Sequence, residues 1–67
     1  MTAESAQKLR DLEADRKAAQ ERLFRLFIDS PMTVQDFERR SRQIDMKFAR
    51  EQAMIILEAI MQTEQAQ

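Results

Sequence analysis

One proline divides a chain that contains no glycine into two long segments without a helix-breaking residue. Pro31 is the single proline among 67 residues, and residues 3–28 and 34–63 contain neither proline nor glycine. Proline fixes its own φ, lacks a backbone N–H and disfavours helical geometry at the residue before it. We therefore predict one helix over about residues 3–28, a turn over 29–33 and a second helix over about 34–63.

The residues that follow the proline carry the signals of a helix start. Thr33 is a favourable N-cap residue, and Asp36 lies three residues later, at the reciprocal position of a capping box. Met32 and Phe37 have the spacing of a hydrophobic staple. Because the connection is short, the two helices should pack antiparallel. The sequence thus predicts an all-α fold in which residues 1–67 form one antiparallel helical hairpin.

The composition excludes several classes of site. The chain has no Cys and no His, so it has neither disulfides nor the usual protein ligands of zinc. Without glycine it cannot form a glycine-rich phosphate-binding loop. Its serines Ser5, Ser30 and Ser41 have no histidine to activate them as nucleophiles. We expect no enzymatic activity, no cofactor and no metal site.

The charge balance argues against a nucleic-acid partner. Eleven basic residues face twelve acidic ones, for a net charge of −1, whereas nucleic-acid-binding domains usually carry a positive excess or a basic stripe. One basic cluster stands out, Arg39, Arg40, Arg42, Lys47 and Arg50, but acidic residues are interleaved with it. A nucleic-acid-binding adaptor that uses this cluster is a lesser alternative. No apolar run is long enough to span a membrane and no signal-peptide pattern is present, so we expect a cytoplasmic protein.

Both predicted helices carry an apolar stripe. Spacings of three and four give the first helix a seam like that of a coiled coil: Leu9, Leu12, Arg16, Ala19, Leu23 and Leu26. The stripe of the second helix is Val34, Phe37, Ser41, Ile44 and Phe48. We expect all four phenylalanines, Phe24, Phe27, Phe37 and Phe48, in the core. Arg16 interrupts the first seam: either its stem lies on apolar surface with the guanidinium in water, or it forms a buried pair with Glu51 or Asp45.

The far half of the second helix is apolar around most of its circumference. Residues 53–61 read AMIILEAIM, with one charged residue among the nine, and such a helix is buried on several sides. In the hairpin this segment lies against the polar half of the first helix, where Leu9 and Leu12 can cover one side at most. The rest forms an exposed apolar patch, whose usual meaning is an interface. The predicted interface residues are Leu9, Leu12, Phe48, Ala53, Met54, Ile55, Ile56, Leu57, Ile60 and Met61.

Self-association is the expected way to bury this patch, because so small a chain seldom stabilises itself through a single core. Two hairpins would form a four-helix-bundle homodimer. Residues 16–50 carry nine basic and five acidic groups, residues 1–15 carry two and four, and residues 51–67 carry none and three. The turn end is thus positive and the open end negative, which favours an antiparallel dimer. Docking of a different protein on residues 53–61 is the other possibility.

Three features together resemble a known class of small proteins: a polar first helix, a capped turn and an apolar distal second helix. In architecture the chain resembles the very short helical-hairpin co-chaperones of bacterial type III secretion, and Phe37 to Met61 carries the likeness. The resemblance implies a protein that, with a larger partner, holds an aggregation-prone needle subunit. Small phage-encoded inhibitors of host proteins share this build. We expect a non-enzymatic protein–protein interaction module, with a co-chaperone or a phage-encoded inhibitor as alternatives.

Overall fold

The computed structural model describes residues 2–65, and over this range the chain forms two α-helices that pack against each other. α1 runs Ala3–Asp29 and α2 runs Val34–Gln65. The prediction of an all-α fold with two packed helices is confirmed. α1 ends one residue later than expected and α2 two residues later. The predicted hairpin covers residues 1–67, of which 1, 66 and 67 lie outside the described residues.

The start of α2 is fixed by Thr33. Its Oγ1 accepts a hydrogen bond from the Asp36 N–H at 3.1 Å, and its carbonyl accepts from the Phe37 N–H at 3.0 Å. The predicted N-cap is therefore confirmed. The Asp36 carboxylate accepts a hydrogen bond from Nη2 of Arg39 at 2.6 Å. One orphan amide of the first turn is satisfied by the threonine side chain, as helix N-termini require.

α1 has no glycine at its C-terminus, and Ser30 instead satisfies a carbonyl of its last turn. The Ser30 N–H and Oγ both donate to the Leu26 carbonyl, at 3.0 and 2.6 Å. The Met32 N–H then donates to the Ser30 carbonyl at 2.8 Å, which makes a γ-turn centred on Pro31. The fixed φ of proline is close to the value that an inverse γ-turn needs at its centre. The chain thus reverses within four residues.

The beginning of α1 has a cap that the sequence analysis missed. Oγ1 of Thr2 accepts from the Ser5 N–H at 3.1 Å and donates to Oγ of Ser5 at the same distance. Threonine three residues before a first-turn serine is the signal that could have found it. Ser5 is one of the two buried residues of α1.

Contacts between the helices establish an antiparallel hairpin. The rings of Phe27 and Phe37, next to the turn, have centroids 4.8 Å apart. A second contact between the helices lies farther from the turn, where Nη1 of Arg16 in α1 is 3.5 Å from Oδ1 of Asp45 in α2. Positions farther back in α1 therefore meet positions farther along α2. The hairpin is elongated, with extents of 55 × 17 × 8 Å.

The seam follows an 11-residue pattern rather than the predicted heptad-like one. Spacings of four, three and four, taken twice, connect the α1 positions Ser5, Leu9, Leu12, Arg16, Gln20, Leu23 and Phe27, all buried or half-buried. The same spacings connect the α2 positions Phe37, Ser41, Ile44, Phe48, Gln52, Ile55 and Ala59, of which only Gln52 is exposed. Eleven residues in three turns stay close to the pitch of a straight α-helix. The hairpin is therefore straight enough to keep one seam along its whole length.

Three expectations about the core are wrong near the turn. Leu26 is 46% exposed, because the seam drifts with the true helical pitch and Phe27 takes the place that a heptad gives to Leu26. Phe24 is 53% exposed, so three of the four phenylalanines, not four, turn toward the other helix. Val34, the first residue of the predicted α2 stripe, is also exposed.

The core is thin. Among residues 2–63, whose side chains the structure describes, Leu23 at 7% and Ala59 at 6% exposure are the buried apolar residues, and no large side chain is completely shielded. The register that joins Phe27 to Phe37 places Ala59 opposite Ser5, so small side chains face each other at the open end. Over residues 2–65, neither α1 nor α2 combines the length and the apolar character that a membrane span needs.

Candidate protein interface

The apolar side chains of residues 53–61 lie on three different sides of α2. Ile55 and Ala59 face α1, and they are half-buried and buried. Because successive residues of an α-helix are 100° apart, the others cannot join them on that side. Ala53, Ile56 and Ile60 lie on one flank of the hairpin, and Met54, Leu57 and Met61 face away from α1. These six predicted interface residues are all exposed.

The other predicted interface residues line a groove at the middle of the hairpin. Leu9, Leu12 and Phe48 are half-buried and border a cavity of about 370 Å³ between the helices. The groove is also lined by three charged side chains, Glu13, Arg16 and Asp45. The structure therefore separates the predicted set. These three residues line the middle of the seam, and the exposed residues of 53–61 lie toward the open end.

Arg16 enters this groove as part of a charged cluster. Its Nη2 and Nε donate to the two carboxylate oxygens of Glu13 at 2.6 and 3.1 Å, and Nη1 donates to Oδ1 of Asp45 at 3.5 Å. The hydrogen bond from Arg16 lowers the pKa of Glu13 below its usual value. The bond to Glu13 raises the pKa of Arg16. The predicted contact with Asp45 is present, but the pair is not buried, since the side chains of Arg16 and Asp45 are 36% and 55% exposed.

A second polar contact joins the helices next to this cluster. The Gln20 side chain donates to the Ser41 carbonyl at 3.2 Å and to Oδ1 of Asp45 at 3.1 Å, and it accepts from Oγ of Ser41 at 3.0 Å. Gln20 is absent from the predicted seam, because heptad spacing gives its position to Ala19. Only the correct helical pitch would have brought Gln20 into the seam.

One flank of the hairpin carries apolar side chains at both ends. Glu13 of α1 and Asp45 and Ala49 of α2 border the same groove, so those sides of the two helices form one surface. In α1, steps of four and three continue the row from Glu13 through Lys17 and Gln20 to Phe24 and Ile28, and in α2 they continue it from Asp45 through Ala49 and Ala53 to Ile56 and Ile60. We call this flank the groove face. Its large exposed apolar residues are Phe24 and Ile28 at the turn end and Ile56 and Ile60 at the open end.

A different apolar row runs along the side of α2 that points away from α1. It consists of Met46, Met54, Leu57 and Met61, and each of these side chains is more than half exposed. We call this row the methionine stripe. Since α1 lies on the opposite side of α2, no part of α1 can cover the stripe.

The basic cluster of α2 is partly engaged within the hairpin. Nη2 of Arg39 contacts Asp36 at 2.6 Å, and Nε of Arg42 donates to the Glu38 carbonyl at 3.5 Å. Nζ of Lys47 lies 5.8 Å from the centre of the ring of Phe48. Over the described residues, no group of three acidic side chains converges in a way that could hold a metal ion.

Comparison of the chain with protein-family models, with curated proteins and with solved structures finds no match.

Proposed function

We propose that this protein is a non-enzymatic interaction module: a helical hairpin that associates with a second copy into a four-helix bundle and presents α2 to another protein. The observation that carries the proposal is the contrast between a very thin core and extensive exposed apolar surface. Leu23 and Ala59 are the buried apolar residues of the described side chains, while ten large apolar residues, Ile56 and Ile60 among them, are exposed.

This contrast bears directly on stability. A chain below about 70–80 residues seldom obtains more than about 3–5 kcal/mol from one core, and small proteins add a disulfide, a metal or a partner. The sequence offers no cysteine or histidine for the first two. Association is the route that also uses the exposed residues, because burial of their remaining apolar surface contributes about 25 cal/mol per Å².

Sedimentation of the pure protein over a range of concentrations tests self-association. We expect dimers for the parent chain, and monomers with reduced helicity for Ile56→Glu or Ile60→Glu, because each places a charge in the buried apolar layer. Gln62→Glu is the matched control, since it adds the same charge near the same end at an exposed polar position. An Ile60→Glu chain that stays monomeric, helical and as heat-stable as the parent would overturn the proposal.

The methionine stripe supports the second part of the proposal. It lies on the outer side of α2, so association through the groove face leaves it free. Methionine side chains are flexible and polarisable and suit surfaces that accept apolar helices of other proteins. Met54, Leu57 and Met61 have the three- and four-residue spacing of such a contact.

Site-specific photocrosslinking in cells tests the stripe. A photoreactive residue at Leu57 should give an adduct with a protein other than this chain, whereas one at Ala14, exposed on the outer side of α1, should not. Adducts from Leu57 that contain this chain alone would reject partner binding through the stripe.

A further inference from the structure

We infer that two copies of the hairpin associate antiparallel through their groove faces, so that the turn-end pair Phe24 and Ile28 of one copy shares layers with Ile56 and Ile60 of the partner subunit. The inference rests on the self-association proposed above and specifies its surface and its orientation. Three observations carry it: the symmetric placement of the four residues, the charge at the two ends and the area of the face.

The four exposed residues are placed symmetrically about the middle of the hairpin. Arg16 and Phe48 border the same groove and occupy the same level of the seam. Phe24 and Ile56 follow them by eight residues each, and Ile28 and Ile60 follow by twelve. Each residue adds a rise of about 1.5 Å, and the helices run in opposite directions. Phe24 and Ile56 therefore lie about 12 Å from that level on opposite sides, and Ile28 and Ile60 lie about 18 Å from it on opposite sides.

A two-fold axis at the level of Arg16 therefore places the turn end of one copy against the open end of the other. It lies between the two copies and at right angles to their helices. It brings Phe24 to the level of Ile56 of the partner subunit, and Ile28 to the level of Ile60 of the partner subunit. A closed two-fold interface of this kind uses the same patch on both copies. The apolar residues at both ends of the groove face would then be buried.

Charge decides between this arrangement and a parallel one. A parallel dimer also pairs apolar residues with apolar residues, but it sets like ends together. Residues 16–50, on the turn side, hold nine basic and five acidic groups. The open end combines residues 1–15, with two basic and four acidic groups, and residues 51–67, with three acidic and no basic groups. Complementary charge selects orientation, and like-charge juxtaposition disfavours the alternative.

The centre of the face suits burial at a two-fold axis. Arg16 is already hydrogen-bonded by Glu13 and contacts Asp45, so it would enter the interface as a paired charge rather than an isolated one. The two longest extents of the hairpin, 55 and 17 Å, give its broad side an area of about 900 Å². Stable protein interfaces bury about 800 Å² on each partner, so this single face is large enough.

A charge pair placed across the two ends tests the orientation. Ile28→Lys and Ile60→Glu should each weaken dimerisation by more than about tenfold, since each puts an unpaired charge into an apolar layer. In the double variant the new lysine lies beside the new glutamate of the partner subunit at both ends of an antiparallel dimer. Within one chain the two positions are about 36 Å apart and cannot pair. We expect the double variant to dimerise about tenfold or more tightly than the sum of the single effects predicts.

A distance measurement gives an independent reading that leaves the four large apolar residues of the face unchanged. The chain has no cysteine, so Gln35→Cys, at an exposed position near the start of α2, gives one spin label per copy. Gln35 lies thirteen residues before Phe48. An antiparallel dimer should therefore show a label separation of about 40 Å, and a parallel one about 20 Å or less.

The outcomes separate the two proposals. A parent chain that sediments as a monomer at every concentration removes the proposed self-association and this inference with it. A dimer with the short label separation, or a double variant no tighter than the single effects predict, overturns the antiparallel arrangement and leaves self-association standing. Circular dichroism of each variant identifies any that has lost its helices, and the label measurement on the otherwise unchanged face then decides.

Discussion

The two halves of the hairpin share one seam geometry but fill it differently. In the turn half, large or hydrogen-bonding side chains meet: Phe27 stacks on Phe37 at 4.8 Å, Leu23 is buried, and Gln20 bonds Ser41. In the open half, Ser5 and Ala59 are the buried residues. Both halves leave large apolar residues exposed, such as Ile28 near the turn and Ile60 at the open end. The difference therefore lies in the side chains that fill the seam, which are large or hydrogen-bonding in the turn half and small in the open half.

The consequence is an uneven dependence on association. The turn half is held by caps, an aromatic pair and a polar network that all form within one chain. The open half brings small side chains together and turns Ile56 and Ile60 outward. We therefore expect the turn half to be the more stable part of an isolated chain, and the open half to gain most from a second copy. Four variants test this contrast, with stability compared at one fixed protein concentration.

The largest effect is expected from Leu23→Ala. It removes the buried large side chain of the turn half, and such truncations cost about 2–5 kcal/mol. Thermal unfolding followed by circular dichroism measures it. Leu26→Ala, three residues away at a position that is 46% exposed, is the matched control and should cost far less. An equal loss of stability at the two positions would mean that Leu26 is also buried, as the heptad pattern predicts, and would contradict the 11-residue seam.

Overfilling the open half should come next. Ala59→Leu puts a larger side chain where the register sets Ala59 against Ser5, and overpacking of a close contact costs about 1–3 kcal/mol. The control is Ala14→Leu, exposed on the outer side of α1. If Ala59→Leu raised the unfolding temperature, the open end would contain space, and the close approach of the helices there would be disproved.

Removal of the α2 cap should have a smaller effect. Thr33→Ala deletes the acceptor for the Asp36 N–H, and loss of an N-cap costs about 0.5–2 kcal/mol. Thr33→Ser keeps the hydroxyl and should unfold close to the parent. Chemical denaturation of both variants supplies the comparison, and a Thr33→Ala chain as stable as Thr33→Ser would mean that the turn half does not depend on this cap.

The smallest effect concerns Glu13 and appears in acid. The pKa of Glu13 is lowered in the folded chain by the hydrogen bond from Arg16. A lowered folded-state pKa stabilises the fold above the unfolded value, near about 4.3 for glutamate, and this contribution is lost as the pH falls through the folded value. The difference in unfolding temperature between the parent and Glu13→Gln should therefore shrink as the pH falls below that range. If the difference in unfolding temperature between the parent and Glu13→Gln stayed constant from pH 7 to pH 3, the ionised Glu13 carboxylate would not contribute to stability.

Local signals determined most of the backbone. Pro31 and Thr33 set the reversal and the start of α2, because proline geometry and N-capping act within a few residues. The long segments without glycine or proline predicted the helices to within two residues of their observed ends. The candidate interface was found only in part, since sequence composition located residues 53–61 but could not say which of them face α1.

The sequence by itself determined that this chain forms two helices joined by a capped turn, with more apolar surface at one end than its own first helix can cover. Only the tertiary structure decided that Phe27 rather than Leu26 enters the seam, that Gln20 bonds across it, and that Phe24 and Ile28 share a flank with Ile56 and Ile60. The physical reason is that local propensities act over a few residues and form the same helix whichever of its sides packs against the other helix. The flank on which a side chain lies is fixed only when two helices pack, because small differences in pitch accumulate along their whole length.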